Sequence, residues 1–156
     1  MVHHPFVKNS DVLSVFEPEL NRTVFLGFER DTTYRSIPVK RFLLSNLTYA
    51  APEHNDYNQC FCPDADPIEQ YDGTLRVAHC NFEVPMVFSN PHFYQASDLF
   101  SSEISGFNPV KEEHESFADV TEKLGIVING RKTVQLNIDT EAYQYYLSGS
   151  KRVGFC

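Results

Sequence analysis

Val84, Met86 and Phe88 alternate with Pro85, Val87 and Ser89. This period of two sets an apolar face and predicts a β-strand. Pro85 donates no ladder hydrogen bond, so the strand begins or lies at an edge there. Asn90-Pro91 then breaks the alternation, and His92-Phe93-Tyr94 follows at once. Aromatic clusters beside proline-fixed bends serve core packing more often than binding.

Upstream, Val12, Leu13, Val15 and Phe16 predict a short strand that Glu17-Pro18-Glu19 ends. Residues 22–30 predict a second strand. Val24, Leu26 and Phe28 share one face, and Thr23, Phe25 and Gly27 the other. Aromatics on both faces predict partial burial of both. Residues 31–36 are expected to form a connecting loop, and Ile37 to Leu44 a return strand pairing antiparallel to the second. Residues 45–73 are punctuated by Pro52, Asn55-Asp56, Pro63, Pro67 and Asp72-Gly73. So long an irregular stretch is uncommon unless functional or tied down. Residues 74–80 fit a helical turn or a short strand equally.

Downstream, Ala96-Ser97-Asp98 caps an expected helix over 98–105, ended by Gly106. A second short helix opens after Pro109 at Lys111-Glu-Glu-His-Glu115. His114 among those carboxylates is a metal ligand, a pH-responsive group or part of a solvated charged turn. Phe117-Ala-Asp-Val120 begins another strand. Asn129-Gly130 lies between alternating runs, with Val134, Leu136 and Ile138 on one side and Thr133, Gln135 and Asn137 on the other. Asn-Gly between such runs predicts a two-residue hairpin, because both turn residues accept positive φ. From residue 147 the periodicity is lost, and 147–156 read as a tail.

The 156 residues suffice for one domain with a real core. Hydrophobic residues at 42% and charged residues at 22% mark a globular chain. The net charge of -8 argues against nucleic acid as partner, since phosphate binding needs a basic face. Thirteen Phe and eight Tyr with no Trp favour sheets around a wide apolar interior, packed or lining an apolar ligand. No apolar run reaches the roughly 18 residues of a membrane helix, and Met1 to Lys8 lack the apolar stretch of a signal peptide. Taken literally, the chain is expected to carry neither export address nor anchor.

The cysteines are Cys60, Cys62, Cys80 and Cys156. Three arrangements compete: a disulfide framework, a zinc site on Cys60, Cys62, His79 and Cys80 at a non-standard spacing, and inert buried thiols. Two glycosylation sequons, Asn21-Arg-Thr23 and Asn46-Leu-Thr48, tilt the balance toward a secreted or lumenal domain.

No Gly-rich phosphate loop, His-Glu-x-x-His pair or Gly-x-Ser-x-Gly elbow is present. His54 with Cys60 or Cys62 has no spacing that supports a nucleophile and its base. A binding protein, and not an enzyme, is the expectation.

Four ordered stretches carry a resemblance: Pro5 to Leu13, Ile37 to Phe42, Asn90-Pro-His-Phe-Tyr-Gln-Ala96, and Ile104 to His114 continuing through Asp119 to Asn137. Together they resemble the class B scavenger receptor family, which includes fatty acid translocase type receptors, lysosomal integral membrane proteins and insect sensory neuron membrane proteins. The resemblance implies a mostly β fold with short helices (α+β): an antiparallel, β-barrel-like ectodomain, here incomplete. Residues 1–146 would form this partial ectodomain and 147–156 an unrelated tail, as in a truncated gene model, fragment or splice product.

In that family an apolar tunnel runs through the domain between two membrane helices, which this chain is expected to lack. The implied partners are lipids or lipoproteins and in some members a protein ligand, with no cofactor. The implied location is the extracellular or lumenal side of the plasma membrane or lysosomal membrane. Phe16, Arg22, Phe25, Phe28, Phe88 and Phe93 are the tunnel-lining candidates. Arg22 matches a commonly basic position, where a guanidinium could hold a fatty carboxylate bidentately; the alternative is a surface arginine beside a glycan. The family often bridges the cysteine matching Cys80 to a position that is Asn21 here. Cys62 lacks its usual near partner, and Cys60 resembles a cysteine paired upstream in some members. A Cys62–Cys80 bridge is the expectation put in place of that framework. The favoured function is binding and transfer of lipid cargo. The rivals are a lysosomal sorting receptor for a protein partner and a zinc-stabilised soluble domain.

Overall fold

The computed structural model describes residues 2–61, 72–76, 86–102 and 105–138. The chain divides into two compact units, Met1–Thr48 with Glu115–Thr133 and Tyr49–His114 with Val134–Cys156. Each is built on an antiparallel sheet, and the fold is mostly β with short helices.

The first unit holds β1 (Val12–Glu17), β2 (Arg22–Tyr34) and β3 (Ile37–Leu44). With β6 at Phe117–Val120 and β7 at Val127–Arg131, its sheet has the order β1-β2-β3-β6-β7. As expected, β2 and β3 pair antiparallel, but β2 runs on through the residues expected to form a loop. Thr32 pairs with Val39, Thr33 with Pro38 and Tyr34 with Ile37. The turn shrinks to Arg35 and Ser36, at φ 47 and 68. Two positive φ values give the hand of twist that a tight hairpin requires. Arg-Ser lacks the Gly, Asn or Asp that usually accepts positive φ in such a turn, so its composition did not announce a two-residue hairpin.

The alternation of β1 and β2 sorts their side chains by face. Leu13 and Leu26 are buried, whereas Val12, Phe16 and Phe25 are exposed. The expectation that both faces of β2 are partly buried therefore holds at Thr23 and Gly27 but not at Phe25, 38% exposed. The core cluster is Val7, Leu13, Leu26, Phe42 and Val120, with Val15, Phe28, Ala118 and Val127 packed around it. Phe28 meets Phe42 edge-on at 5.8 Å. Each such side chain stabilises the fold by about 1.5–3 kcal/mol when fully buried.

β6 (Phe117–Val120) and β7 (Val127–Arg131) complete this sheet. The Asn129-Gly130 hairpin does not form. Both residues lie inside β7, where Asn129 faces Asp119 and Gly130 faces Ala118. Neither has a positive φ. Asn129 instead donates its side-chain amide to Asp119 Oδ2 at 2.7 Å. A Cβ on Gly130 would stand 3.0 Å from the Phe117 carbonyl oxygen, so close strand approach is what selects glycine here.

β1 and β7 are opposite edges of this sheet, and in a flat sheet four strand spacings would hold them about 19 Å apart. Yet Lys132, one residue beyond β7, donates to Glu17 at 2.8 Å and to Glu19 at 2.6 Å. The five strands must therefore curl until their edges approach. Glu17 shares a face with Leu13 and Val15, so the buried face is the concave one.

In the second unit, β4 (Thr74–Arg76), β5 (Met86–Ser89) and β8 (Gln135–Ile138) form a three-stranded sheet with β5 central. This decides the 74–80 ambiguity in favour of a strand for its first three residues. The partner β8 finds is β5, not β7. Its apolar residues are the outward ones: Leu136 is 55% and Ile138 67% exposed. Asn137 donates to the Val87 carbonyl at 3.1 Å and to Ser89 Oγ at 3.0 Å.

Helix α1 (Asp98–Ser102) is shorter than the expected 98–105; Ser105 and Gly106 already form a turn, with Gly106 at φ 102. Helix α2 (Lys111–His114) opens after Pro109 as expected. Described residues of the irregular 45–73 stretch include two 3-10 turns, Asn46–Tyr49 and Asp56–Phe61. Hydrogen bonds tie it down. Gly73 N–H reaches the Tyr49 carbonyl at 2.6 Å, and Asn58, fully buried, donates to the Ala50 carbonyl at 2.6 Å. Gly73 sits at φ +102 with Ala96 filling the space any Cβ would take.

Candidate functional site

The sequence-derived tunnel candidates fall into two sets. In the first unit, alternation along β2 puts Arg22 and Phe28 on the concave face and Phe25 on the other. Phe16, opposite Thr23, shares the face of Phe25 and is 61% exposed. The concave face runs from Glu17 and Arg22 through Val15 and Val24 to Leu13 and Leu26. Its polar end is closed by Lys132, which bridges to Glu17. Burial alone would lower the Lys132 ammonium, but the hydrogen bonds and charges of Glu17 and Glu19 outweigh it and hold the group above its ordinary range. Arg22 is 3% exposed, so the alternative of a surface arginine does not hold. Its neighbour Asn21 is exposed in the β1–β2 turn at φ 50, and Asn46 is exposed as well.

On the opposite face, sequence reasoning missed a polar network. Arg41 Nε donates to Asp119 Oδ1 at 2.7 Å and Nη2 to Oδ2 at 2.8 Å. Phe117 lies beneath two guanidinium groups, with Arg41 at 4.0 Å and Arg131 at 5.3 Å from its ring centre. Arg131 Nε donates to the Glu115 carbonyl at 3.0 Å. The signal was present as alternation, since Arg41 and Asp119 sit at outward positions of strands whose inward neighbours are Phe42, Ala118 and Val120. A single sequence does not say that the two strands lie side by side.

In the second unit, Phe88 is buried at the centre of β5, and Phe93 joins an aromatic cluster. Phe93 stacks on Phe100 at 5.2 Å and meets Phe107 edge-on at 5.0 Å. His92 stacks on His114 at 4.6 Å with 12° between the planes. His114 is 9% exposed, which excludes the solvated charged turn. No group of three or more metal-ligating side chains occurs among the described residues. Cys62, His79 and Cys80 lie outside the described residues, as does the Cys60 side chain; the disulfide and zinc expectations fall there. His54, considered as a base for a cysteine, pairs instead with Asp72 at 2.9 Å. The 147–156 tail, with Cys156, also lies outside the described residues. No described helix is long and apolar enough to cross a membrane.

The model of the CD36 family matches residues 1–152. Mouse "Lysosome membrane protein 2" is 34% identical over 135 residues, covering 86% of this chain and 27% of its own length. Pig "Scavenger receptor class B member 1" is 29% identical over 150 residues, covering 96% and 27%. "Sensory neuron membrane protein 2" of Drosophila melanogaster is 30% identical over 159 residues, covering 96% and 27%. The chain belongs to the CD36 family, the class B scavenger receptors that the ordered motifs resemble. It spans about a quarter of the length of these relatives.

Proposed function

We propose that the chain is part of a receptor ectodomain on the extracellular or lumenal side of a plasma or lysosomal membrane, where it binds lipid or lipoprotein cargo. The observation that carries this reading is the curled sheet of the first unit. It forms a concave wall lined by Val15, Val24, Leu26 and Phe28, with Arg22 at its polar end. An apolar wall ending on a cation matches a fatty carboxylate: the chain loses water contact along the wall and the headgroup meets a guanidinium. Within this reading Arg22 and Phe28 line the lipid path. Phe88 and Phe93 belong to the packing of the second unit, and Phe16 and Phe25 to an outward face.

The test uses the protein with its flanking sequence. Extraction and mass spectrometry identify carried lipid, and a fluorescent fatty acid reports binding. Arg22→Gln is expected to weaken the fatty acid about tenfold or more, the scale of a lost charge-assisted hydrogen bond, and to leave a neutral sterol unaffected. A protein that carries no lipid and binds none, yet captures a protein partner, is a sorting receptor and the lipid reading fails.

A further inference from the structure

Phe16 is an aromatic that neither the core nor the lipid wall uses. It is 61% exposed and stands opposite Thr23 in the β1–β2 ladder. Thr23 closes the sequon Asn21-Arg-Thr23. Asn21 lies exposed at the end of the β1–β2 turn, and its N–H donates to the Pro18 carbonyl at 3.2 Å. Asn21 is thus the diagonal neighbour of Phe16 across the hairpin, a relation that in a regular ladder sets two residues about 7–8 Å apart. The φ of 50 at Asn21 explains an asparagine there, since Asn tolerates the left-handed region. It explains neither the hydroxyl two residues on nor the open phenyl ring facing that hydroxyl.

We propose that Asn21 is an N-glycosylation site whose first sugar packs on the Phe16 ring. The donor is an oligosaccharide carried on a lipid pyrophosphate. The Asn21 amide nitrogen bonds to the anomeric carbon of the sugar. The bond from that carbon to the pyrophosphate breaks, the lipid pyrophosphate leaves with the bonding electrons, and the amide gives up one proton. One face of the linked sugar is a layer of C–H groups. The face of a phenyl ring carries negative charge density that attracts them, and joining the two surfaces releases water.

The ladder keeps this modification clear of the lipid path. Arg22, the middle residue of the sequon, is buried on the concave face, so the sugar and the guanidinium occupy opposite sides of the sheet. The outward face at this end is then covered by the chain's own glycan and closed to partners. The transfer takes place only in the secretory lumen, so the modification rests on the extracellular or lumenal placement proposed for the chain. The second sequon supplies an independent reading of that placement. Asn46 is exposed at the head of the 3-10 turn Asn46–Tyr49, in which Thr48 is buried.

The test uses the protein with its flanking sequence, made in eukaryotic cells. Peptide mass spectrometry reads occupancy at Asn21 and Asn46. Hydroxyl-radical labelling of the folded protein reads access to Phe16 before and after a glycosidase converts the linked asparagine to aspartate. Asn21 is expected to carry glycan, and removal is expected to raise Phe16 labelling about twofold, as when one face of a ring is uncovered. Labelling at Val12 and Ile37, 63% and 47% exposed, is expected to stay the same. Asn21→Gly suits the positive φ, removes the acceptor and should label as the deglycosylated protein does. An unmodified Asn21 beside a glycosylated Asn46 would overturn the proposal and leave the placement standing; glycan at neither would sink both. A glycan at Asn21 whose removal leaves Phe16 unchanged, or raises Val12 and Ile37 equally, would overturn the packing. The wild-type comparison stands even where the variant does not fold.

Discussion

Arg41 grips Asp119 through two parallel hydrogen bonds, 2.7 and 2.8 Å, joining the adjacent strands β3 and β6. Asp119 is 1% exposed and also accepts from Asn129 at 2.7 Å. Burial is the strongest single influence on this carboxyl and pushes it upward. The Arg41 and Asn129 hydrogen bonds with the Arg41 charge outweigh burial, and Asp119 sits below its ordinary 3.8. Arg41→Met leaves a buried carboxylate without its counter-ion and is expected to destabilise the first unit by about 3–5 kcal/mol in denaturant melts. A depressed carboxyl stabilises above its unfolded value and loses that contribution as pH falls through the folded one. The acid limb of unfolding is therefore expected below pH 3.8, and it should flatten in the variant.

Leu13 and Phe16 lie on one strand but on opposite faces, 2% and 61% exposed. Leu13→Ala removes a core contact and is expected to cost about 2–5 kcal/mol. Phe16→Ala should stay within about 0.5 kcal/mol of wild type in the same melt. A comparable loss at Phe16 would place it in the core after all.

Gly130→Ala forces a methyl against the Phe117 carbonyl, 3.0 Å away. It is expected to cost about 1–3 kcal/mol, as overpacking does, although alanine replaces glycine favourably in an ordinary strand. Were Asn129-Gly130 a turn, the same variant would instead suffer from positive φ, and NMR would show Asn129 without its bond to Asp119.

His54 and Asp72 form a surface clamp that also holds the Ala51 amide, 2.8 Å from Asp72 Oδ1. The Asp72 hydrogen bond and then its charge raise His54 above its ordinary 6.5. Burial pushes Asp72 upward, but the His54 and Ala51 hydrogen bonds with the His54 charge bring it below 3.8. A raised histidine stabilises fully below 6.5 and loses that contribution as pH rises through its folded value; a depressed carboxyl does the reverse below 3.8. Exchange protection at Ala51 is expected to be greatest between these limits. His54→Ala should erase the alkaline decline and leave the acid one.

The sequence made the paired strands legible because apolar residues alternate along each of them, Leu13 with Val15 in β1 and Val24 with Leu26 and Phe28 in β2. It also located α2, through Pro109. It failed where side-chain chemistry overrode a local signature. Asn129-Gly130 has the composition of a turn, but a buried carboxylate recruits Asn129 and a tight strand crossing recruits Gly130. Arg35-Ser36 has neither Gly nor Asn nor Asp to favour positive φ and turns anyway, because β2 and β3 continue pairing to Tyr34 and Ile37. The candidate site was half visible. Arg22 and Phe28 share a face by arithmetic along β2, but the curl that makes this face concave depends on Lys132 and Glu17, 115 residues apart. The histidine stack likewise joins His92 to a residue beyond a glycine turn, out of reach of any short-range pattern.

Because β7 does not double back, its outer side keeps a row of amide and carbonyl groups with no strand against it among the described residues. A sheet with such a border is open-ended: it can be lengthened by any chain of matching register. In a larger receptor that capacity is a means of joining neighbouring segments into one wall. In the chain by itself the same border is a template for its own kind. Its assembly should therefore depend on concentration, and a charged or proline residue on β7 should suppress it.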